Sequence, residues 1–254
     1  CADLHRRAHR LSDKMTNTPS RALLLSGGLG TRLRPLTDTV PKCLVQVRGK
    51  PVLGYWIDML FGAGVERILI NTHYLPEQVE KYCNNSDWCD RIDLVHEDQL
   101  LGTAGTLRTN HEYFRSQGTF FVAHADNLSV FDPDAYFSAH MGRPTGCIGT
   151  IMTFETDQPQ SCGILELDAQ GVVQSVFEKV ANPPGNLANG AVFLLETEIL
   201  DWVCANPAAF DFCGDVVPSM AGKWYTFFNE TFHRDIGTIE ALKKAESDFV
   251  WNTE

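Results

Sequence analysis

The sequence predicts an α/β fold: a mainly parallel sheet covered by helices, with extra β structure in the second half. Three observations carry this. Short aliphatic runs alternate with segments of helical period from residue 21 to about 140, and such an order puts strands in parallel with helices on the sheet faces. Beyond that point strands follow one another with few helices between them. A glycine-rich turn also follows the first strand, and sheets of this kind gather ligands at the carboxyl ends of their strands.

The elements read off in order. "ALLLS" is a buried strand, and "VLGYWIDMLFGAG" sets Leu53, Trp56, Ile57, Leu60 and Phe61 on one helical face before a glycine stop. "ERILINT" is a strand, "LPEQVEKYC" a short helix opened by proline, and "RIDLVHE" another strand. "GTAGTLRTNHEYF" is read as helical and "TFFVAHA" as a strand. In the second half "CIGTIMTF", "GILELDAQGVVQSVFEK" and "GAVFLLE" are strands, with a hairpin turn at the glycine of "LDAQGVV", and this β structure is expected to meet the first half across a cleft. "TEILDWVCAN" and "IEALKKAESDFVW" are helical, and "DPD" at 132–134 caps "PDAYFSAHM" with proline in its first turn. One domain is expected over 21–254, with halves at about 21–130 and 131–254.

Composition narrows the function classes. The 254 residues carry a net charge of −11, which argues against nonspecific binding to nucleic acid or an anionic membrane. No window holds about 18 consecutive apolar residues. The eight cysteines show no CxxC pair and no zinc spacing, so reduced thiols in a cytoplasmic protein are expected. Residues 1–20 are polar and read as an arm outside the fold, with Met15 a candidate start.

An acidic chain that binds an anion must meet it with a local basic site. "LLLSGGLGTRLRPLTDTVPK" supplies one: between Gly27 and Lys50 stand Arg32, Arg34, Lys42, Arg48 and Lys50 against Asp38 alone. Gly27, Gly28 and Gly30 leave backbone N–H groups free to approach phosphate oxygens. The spacing fits neither the dinucleotide fingerprint nor the P-loop; a plain tight turn and a solvated basic face are the competing readings.

The stretch "GGLGTRLRPLT...PK" resembles the signature of the sugar-1-phosphate nucleotidylyltransferases, and the similarity extends from Arg21 to about Ala245. The resemblance is nearest to the short mannose- or heptose-1-phosphate guanylyltransferase type. It implies a Rossmann-like, mainly parallel mixed sheet flanked by helices, with a β-rich sugar-binding region added. Catalytic roles fall on Arg32, Lys42 and Asp126, and the nucleotide phosphates on Ser26, Gly27, Gly28, Gly30 and Thr31. "EDQLLGTAGTL" is similar to the base-recognition segment, which assigns Glu97, Gly102, Thr103, Ala104 and Gly105. "FFVAHADN" and "HRDIGTIE" carry Asp126 and Asp235 at the positions of the two metal-binding carboxylates, and Mg²⁺ is the implied ion. "SVFEKVANPPGNLANGAVFLL" with "SCGILEL" resembles the sugar-phosphate segment, giving Gly163, Glu178, Lys179, Asn189 and Gly190. The chain departs from the family pattern at "HAD", "EKV" and "HRD", and His124 and Ala125 are expected to add bulk near the metal site.

What the resemblance implies is attack by a sugar 1-phosphate on the α-phosphorus of a nucleoside triphosphate. GTP is the expected donor; UTP, CTP and dTTP stay open, as does the sugar and a homodimer. The chain's end soon after "DIGTIEALKKAE" predicts none of the left-handed β-helix of longer relatives. A glycosyltransferase and a nonenzymatic nucleotide-sugar sensor are the alternatives. The first lacks its Asp-x-Asp, since His124 stands two residues before Asp126; the second has no need of the full charge set.

Overall fold

A computed structural model describes residues 18–251. Most of the N-terminal arm, with Met15, lies outside the described residues; residues 18–20 are seated, with the Ser20 carbonyl accepting from the N–H groups of Glu66 and Arg67.

The strands are β1 (Arg21–Leu25), β2 (Gln46–Val47), β3 (Lys50–Pro51), β4 (Arg67–Thr72), β5 (Ile92–His96), β6 (Phe120–His124), β7 (Asn127–Val130), β8 (Gly149–Glu155), β9 (Gly163–Leu167), β10 (Val173–Glu178), β11 (Leu187–Leu195), β12 (Trp224–Phe228) and β13 (Phe232–Asp235). The helices are α1 (Val52–Gly62), α2 (Pro76–Asn84), α3 (Thr103–Thr109), α4 (His111–Phe114), α5 (Pro133–Met141), α6 (Glu198–Ala205), α7 (Val217–Ser219) and α8 (Ile239–Asp248). All five residues expected on the apolar face of α1 are buried, and Trp56 Nε1 also donates to the Asn127 carbonyl at 2.7 Å. The helix expected over "GTAGTLRTNHEYF" divides into α3 and α4 at Asn110, whose side chain donates back to the Thr106 carbonyl.

The main sheet runs β10-β9-β11-β6-β1-β4-β5, with β8 and β12 joined beside β11. β1 pairs in parallel with β4 and β6, and β4 with β5, so the loops after all four strands open at one edge. The chain fills one side of β1 before crossing to β6 on the other, and the crevice for a ligand belongs at such a switch point.

The second half departs from the expected cleft between two halves. β11 pairs antiparallel with β6, so the β-rich part continues the same sheet. The antiparallel direction brings the start of β11 to the edge where β6 ends. β8 and β9 pair antiparallel with β11 and β10 with β9, which carries Gly163, Glu178 and Asn189 to that edge too. β13 lies against β7, with Asp235 opposite Asn127. Two buried clusters, one under α1 and one under α3 and α6, cover the two faces.

Candidate active site

The centre of this edge is a charge cluster built from three distant stretches. Lys42 Nζ lies 2.7 Å from Asp126 Oδ2 and 2.9 Å from Asp235 Oδ1, with Arg32 at 3.4 Å from Asp235 Oδ2. Asp126 follows β6, Asp235 ends β13, and Lys42 begins a 3₁₀ turn after Pro41. The Lys42 side chain is only 8% exposed. Burial pushes its ammonium pKa down, but the two carboxylates more than offset this and hold it above its ordinary value. For Asp126 burial pushes up, and Lys42 and His124 outweigh it to hold the carboxyl below the usual range.

The glycines of the signature loop differ in role. A Cβ on Gly27 would meet Asn71 Nδ2 at 2.9 Å, and Gly30 sits at φ +61 against Thr37, so both are demanded by the protein's own packing. Gly28 is exposed, and a Cβ there would have only Asp126 Oδ2 near it, at 3.9 Å. That bare backbone faces open space over the carboxylate. Ser26 turns the other way: its N–H donates to Asn71 Oδ1 at 2.8 Å and its hydroxyl to the Asn71 carbonyl. Thr31 is exposed and opens the 3₁₀ turn that carries Arg32.

Beside Gly28 a cavity of about 170 Å³ is bounded by Gly27, Asn71, Gly102, Thr103, His124 and Asp126, with Leu100 and Phe210 at its rim. Of the residues expected at the nucleobase, Gly102 and Thr103 line it; Ala104 and Gly105 are buried behind it. Glu97 is buried too. Its Oε1 accepts from Asn71 at 3.0 Å and Thr106 at 2.5 Å, and its Oε2 from the Leu101 N–H at 3.2 Å. It therefore ties the base segment to β4 and, through Asn71, to the signature loop. Two residues that sequence reasoning missed, Phe210 and Asp211, close this cavity. The Phe210 carbonyl accepts from the Ala104 N–H at 2.9 Å, and Thr103 Oγ1 accepts from the Phe212 N–H at 2.6 Å. A Cβ on Gly102, at φ +74, would strike Phe210. Nothing periodic marks residues 209–212 in the sequence; only their docking on Gly102 reveals them.

The residues expected at the sugar phosphate converge on one lip. Gly163 leaves room for the Glu178 carboxylate and approaches Asn189. Asn189 Oδ1 accepts from the Ala191 N–H at 2.8 Å, where β11 bulges against β8, while its Nδ2 is buried with no hydrogen-bond partner. Gly190 packs over His233. Lys179 pairs with Glu178 at 2.8 Å, which raises its pKa, and holds φ 50, a strained value for a residue with a Cβ. A larger hollow of about 410 Å³ opens on the far side of Arg32 and Asp235, floored by Phe154 and His233.

Two of the three departures, at "HAD" and "HRD", resolve locally. Ala125 is fully buried in the core, so only His124 reaches the cavity, and its buried Nε2 has no partner. His233 packs at a 41° tilt on Phe154 with ring centroids 4.3 Å apart, and burial pushes its pKa down to about 4. It packs as a neutral aromatic ring.

Among the described residues no group of three or more His, Cys, Asp or Glu side chains is arranged to hold a metal. Two carboxylates drawn around one cation nevertheless suit Mg²⁺, which keeps waters and takes further oxygens from substrate phosphates. Bare backbone at a strand's end beside a basic-acidic cluster, at the carboxyl edge of a parallel sheet, defines an α/β domain with a candidate anion site. The nucleotidyl transferase family model matches residues 21–250, and the chain belongs to that family. It is 31% identical over 225 residues to the mannose-1-phosphate guanylyltransferase catalytic subunit beta of Xenopus tropicalis, covering 85% of this chain and 61% of that protein. It is 30% identical over 229 residues to the mannose-1-phosphate guanyltransferase of Schizosaccharomyces pombe, with the same coverage. The chain thus spans about 61% of the length of these relatives. HddC from Yersinia pseudotuberculosis superimposes with a TM-score of 0.75 at 25% identity, covering 89% of this chain and 97% of that one. A second HddC structure, complexed with GMP-PN, gives 0.74 at 26% identity, covering 89% and 98%. Among the described residues no helix is long and apolar enough to cross a membrane, and the seven cysteines there are free thiols, with Cys43, Cys83 and Cys147 buried.

Proposed function

We propose that the chain transfers GMP from GTP to a sugar 1-phosphate of the mannose or manno-heptose type, releasing pyrophosphate, in the cytoplasm. The observation that carries this reading is the joining of Arg32, Lys42, Asp126 and Asp235 beside the bare Gly28 backbone. The guanylyltransferase names of the relatives and the GMP-PN complex of HddC favour guanine and mannose.

A phosphate oxygen of the sugar 1-phosphate forms the new bond to the α-phosphorus, and the bond from that phosphorus to the bridging oxygen breaks to free pyrophosphate. The nucleophile is already anionic at neutral pH, so catalysis rests on holding two repelling anions in line and neutralising the charge between them. Gly28 offers its N–H to the triphosphate, Arg32 and Lys42 offset its charge, and Lys179 receives the sugar phosphate. Asn189 Nδ2 and the Glu178 carboxylate suit sugar hydroxyls, and His124 Nε2 suits a polar atom of the nucleotide. Asp126 and Asp235 would hold Mg²⁺, which supplies charge neutralisation at the phosphate oxygens.

Pyrophosphate release from GTP, ATP, UTP, CTP and dTTP, each paired with mannose, heptose, glucose and N-acetylhexosamine 1-phosphates, tests the assignment. Release with GTP and a manno-configured sugar phosphate is the expected result; a strict preference for another base overturns the guanine assignment. Tight nucleotide-sugar binding without pyrophosphate release in any pair would indicate the sensor instead.

A further inference from the structure

We propose that Lys42 is an exchangeable cation: its ammonium and a divalent ion compete for the Asp126–Asp235 pair, and metal enters as the nucleotide phosphates draw Lys42 away. The inference rests on the reading of that pair as a metal site. It starts from which oxygens are taken. Lys42 Nζ sits between Asp126 Oδ2 at 2.7 Å and Asp235 Oδ1 at 2.9 Å, and Arg32 engages the remaining Asp235 oxygen at 3.4 Å. Three of the four carboxylate oxygens are thus bonded to cations carried by the chain.

Charge balance gives the consequence. Two aspartates against Lys42 and Arg32 make a cluster that is neutral, so a free divalent ion finds no net attraction there and would meet a buried ammonium at close range. A triphosphate reverses this. Its oxygens, cradled at Gly28, would lie on the side of Asp126 Oδ2 that no side chain fills, and they offer the ammonium a stronger partner than a shared carboxylate. The flexible four-carbon stem of lysine lets the charge move while the backbone turn at Lys42–Leu44 stays in place. Metal and nucleotide then bind as one event, and the ion alone binds poorly.

The test is Mn²⁺ binding to the isolated protein, followed by calorimetry and by the loss of the free-ion electron paramagnetic resonance signal. Lys42→Met and Lys42→Gln should each bind Mn²⁺ alone at least about tenfold more tightly than the wild type. The glutamine variant keeps a donor for the carboxylates if methionine there prevents folding. Saturating Mn²⁺ should also raise the melting temperature of both variants more than that of the wild type, because the ion replaces the lost ammonium. Asp126→Asn in the Lys42→Gln background should abolish the gain. Equal Mn²⁺ affinity in wild type and both variants, lost with Asp126→Asn, would overturn the exchange and leave the metal site standing. No Mn²⁺ binding in any variant, even with α,β-methylene GTP present, would overturn the metal reading and the exchange with it.

Discussion

Lys179 stands on a backbone that most residues avoid, at φ 50, with its ammonium held to Glu178 and its N–H donating to the Cys162 carbonyl at 3.1 Å. A left-handed lysine costs about 1 to 2 kcal/mol, and here it points a cation past the end of β10. Replacing Lys179 with alanine should raise KM for the sugar phosphate by about 10- to 100-fold through loss of a charge-assisted contact, with a smaller effect on KM for GTP. Steady-state kinetics with each substrate varied in turn checks this, and an equal rise in both constants would contradict the assignment. At this scale the sequence was legible wherever a motif fixes a residue's type and its place, as at Lys42, Asp126 and Asp235. It was not legible for Glu97, whose carboxylate is consumed by Asn71, Thr106 and Leu101. A motif position records that a residue is needed there, and the direction of its side chain is set by partners distant in sequence. Glu97→Ala should therefore lower the stability to denaturant by about 1 to 3 kcal/mol, as the Asn71, Thr106 and Leu101 donors lose their acceptor.

Among the elements, the decisive one is the segment 209–212 laid across the start of α3. Gly102→Ala would add a methyl group at φ +74 against Phe210. It should destabilise the protein by about 2 kcal/mol or more and loosen the wall of the cavity beside Gly28. Urea unfolding midpoints measure the first effect, and GTP-analogue affinity the second; an unchanged midpoint would show that the segment moves aside freely. The long periodic elements, α1 above all, were readable because their apolar spacing matches one buried face. β7, β12 and β13 were not. β13 is the four residues "FHRD", whose strand character comes from pairing with β7, and no local pattern announces a partner more than a hundred residues away. The continuation of the sheet through β11 is not legible for the same reason, since alternation identifies a strand without naming its neighbour.

At the scale of the whole molecule, the candidate site occupies one edge of the sheet and a half-buried ionic cluster anchors the other. Glu196, just after β11, has its Oε1 contacted by Arg143 at 2.7 Å, His140 at 2.9 Å and Thr119 at 2.9 Å. The His140 bond, then Thr119 and Arg143, outweigh burial and hold the Glu196 carboxyl at about 2, against an ordinary 4.5. A carboxyl depressed in the folded state contributes stability that is complete above its unfolded value and lost as pH falls toward its folded one. On the order of 3 kcal/mol should therefore disappear between about pH 4.5 and pH 2. Glu196→Gln should flatten that part of the stability profile without altering the pH dependence of turnover near neutrality; parallel wild-type and variant profiles would contradict it.

Guanylyl transfer at the centre formed by Lys42, Asp126 and Asp235 is the proposed reaction, and it can be followed by transfer of label. GTP labelled with ³²P at the α-phosphorus is incubated with mannose or manno-heptose 1-phosphate and Mg²⁺, using wild type and Asp126→Asn, and the nucleotide sugar is separated. Labelled product should need both substrates and fall at least about a hundredfold in Asp126→Asn. Label transfer by Asp126→Asn at the wild-type rate, or none by the wild type to any sugar phosphate, would contradict it.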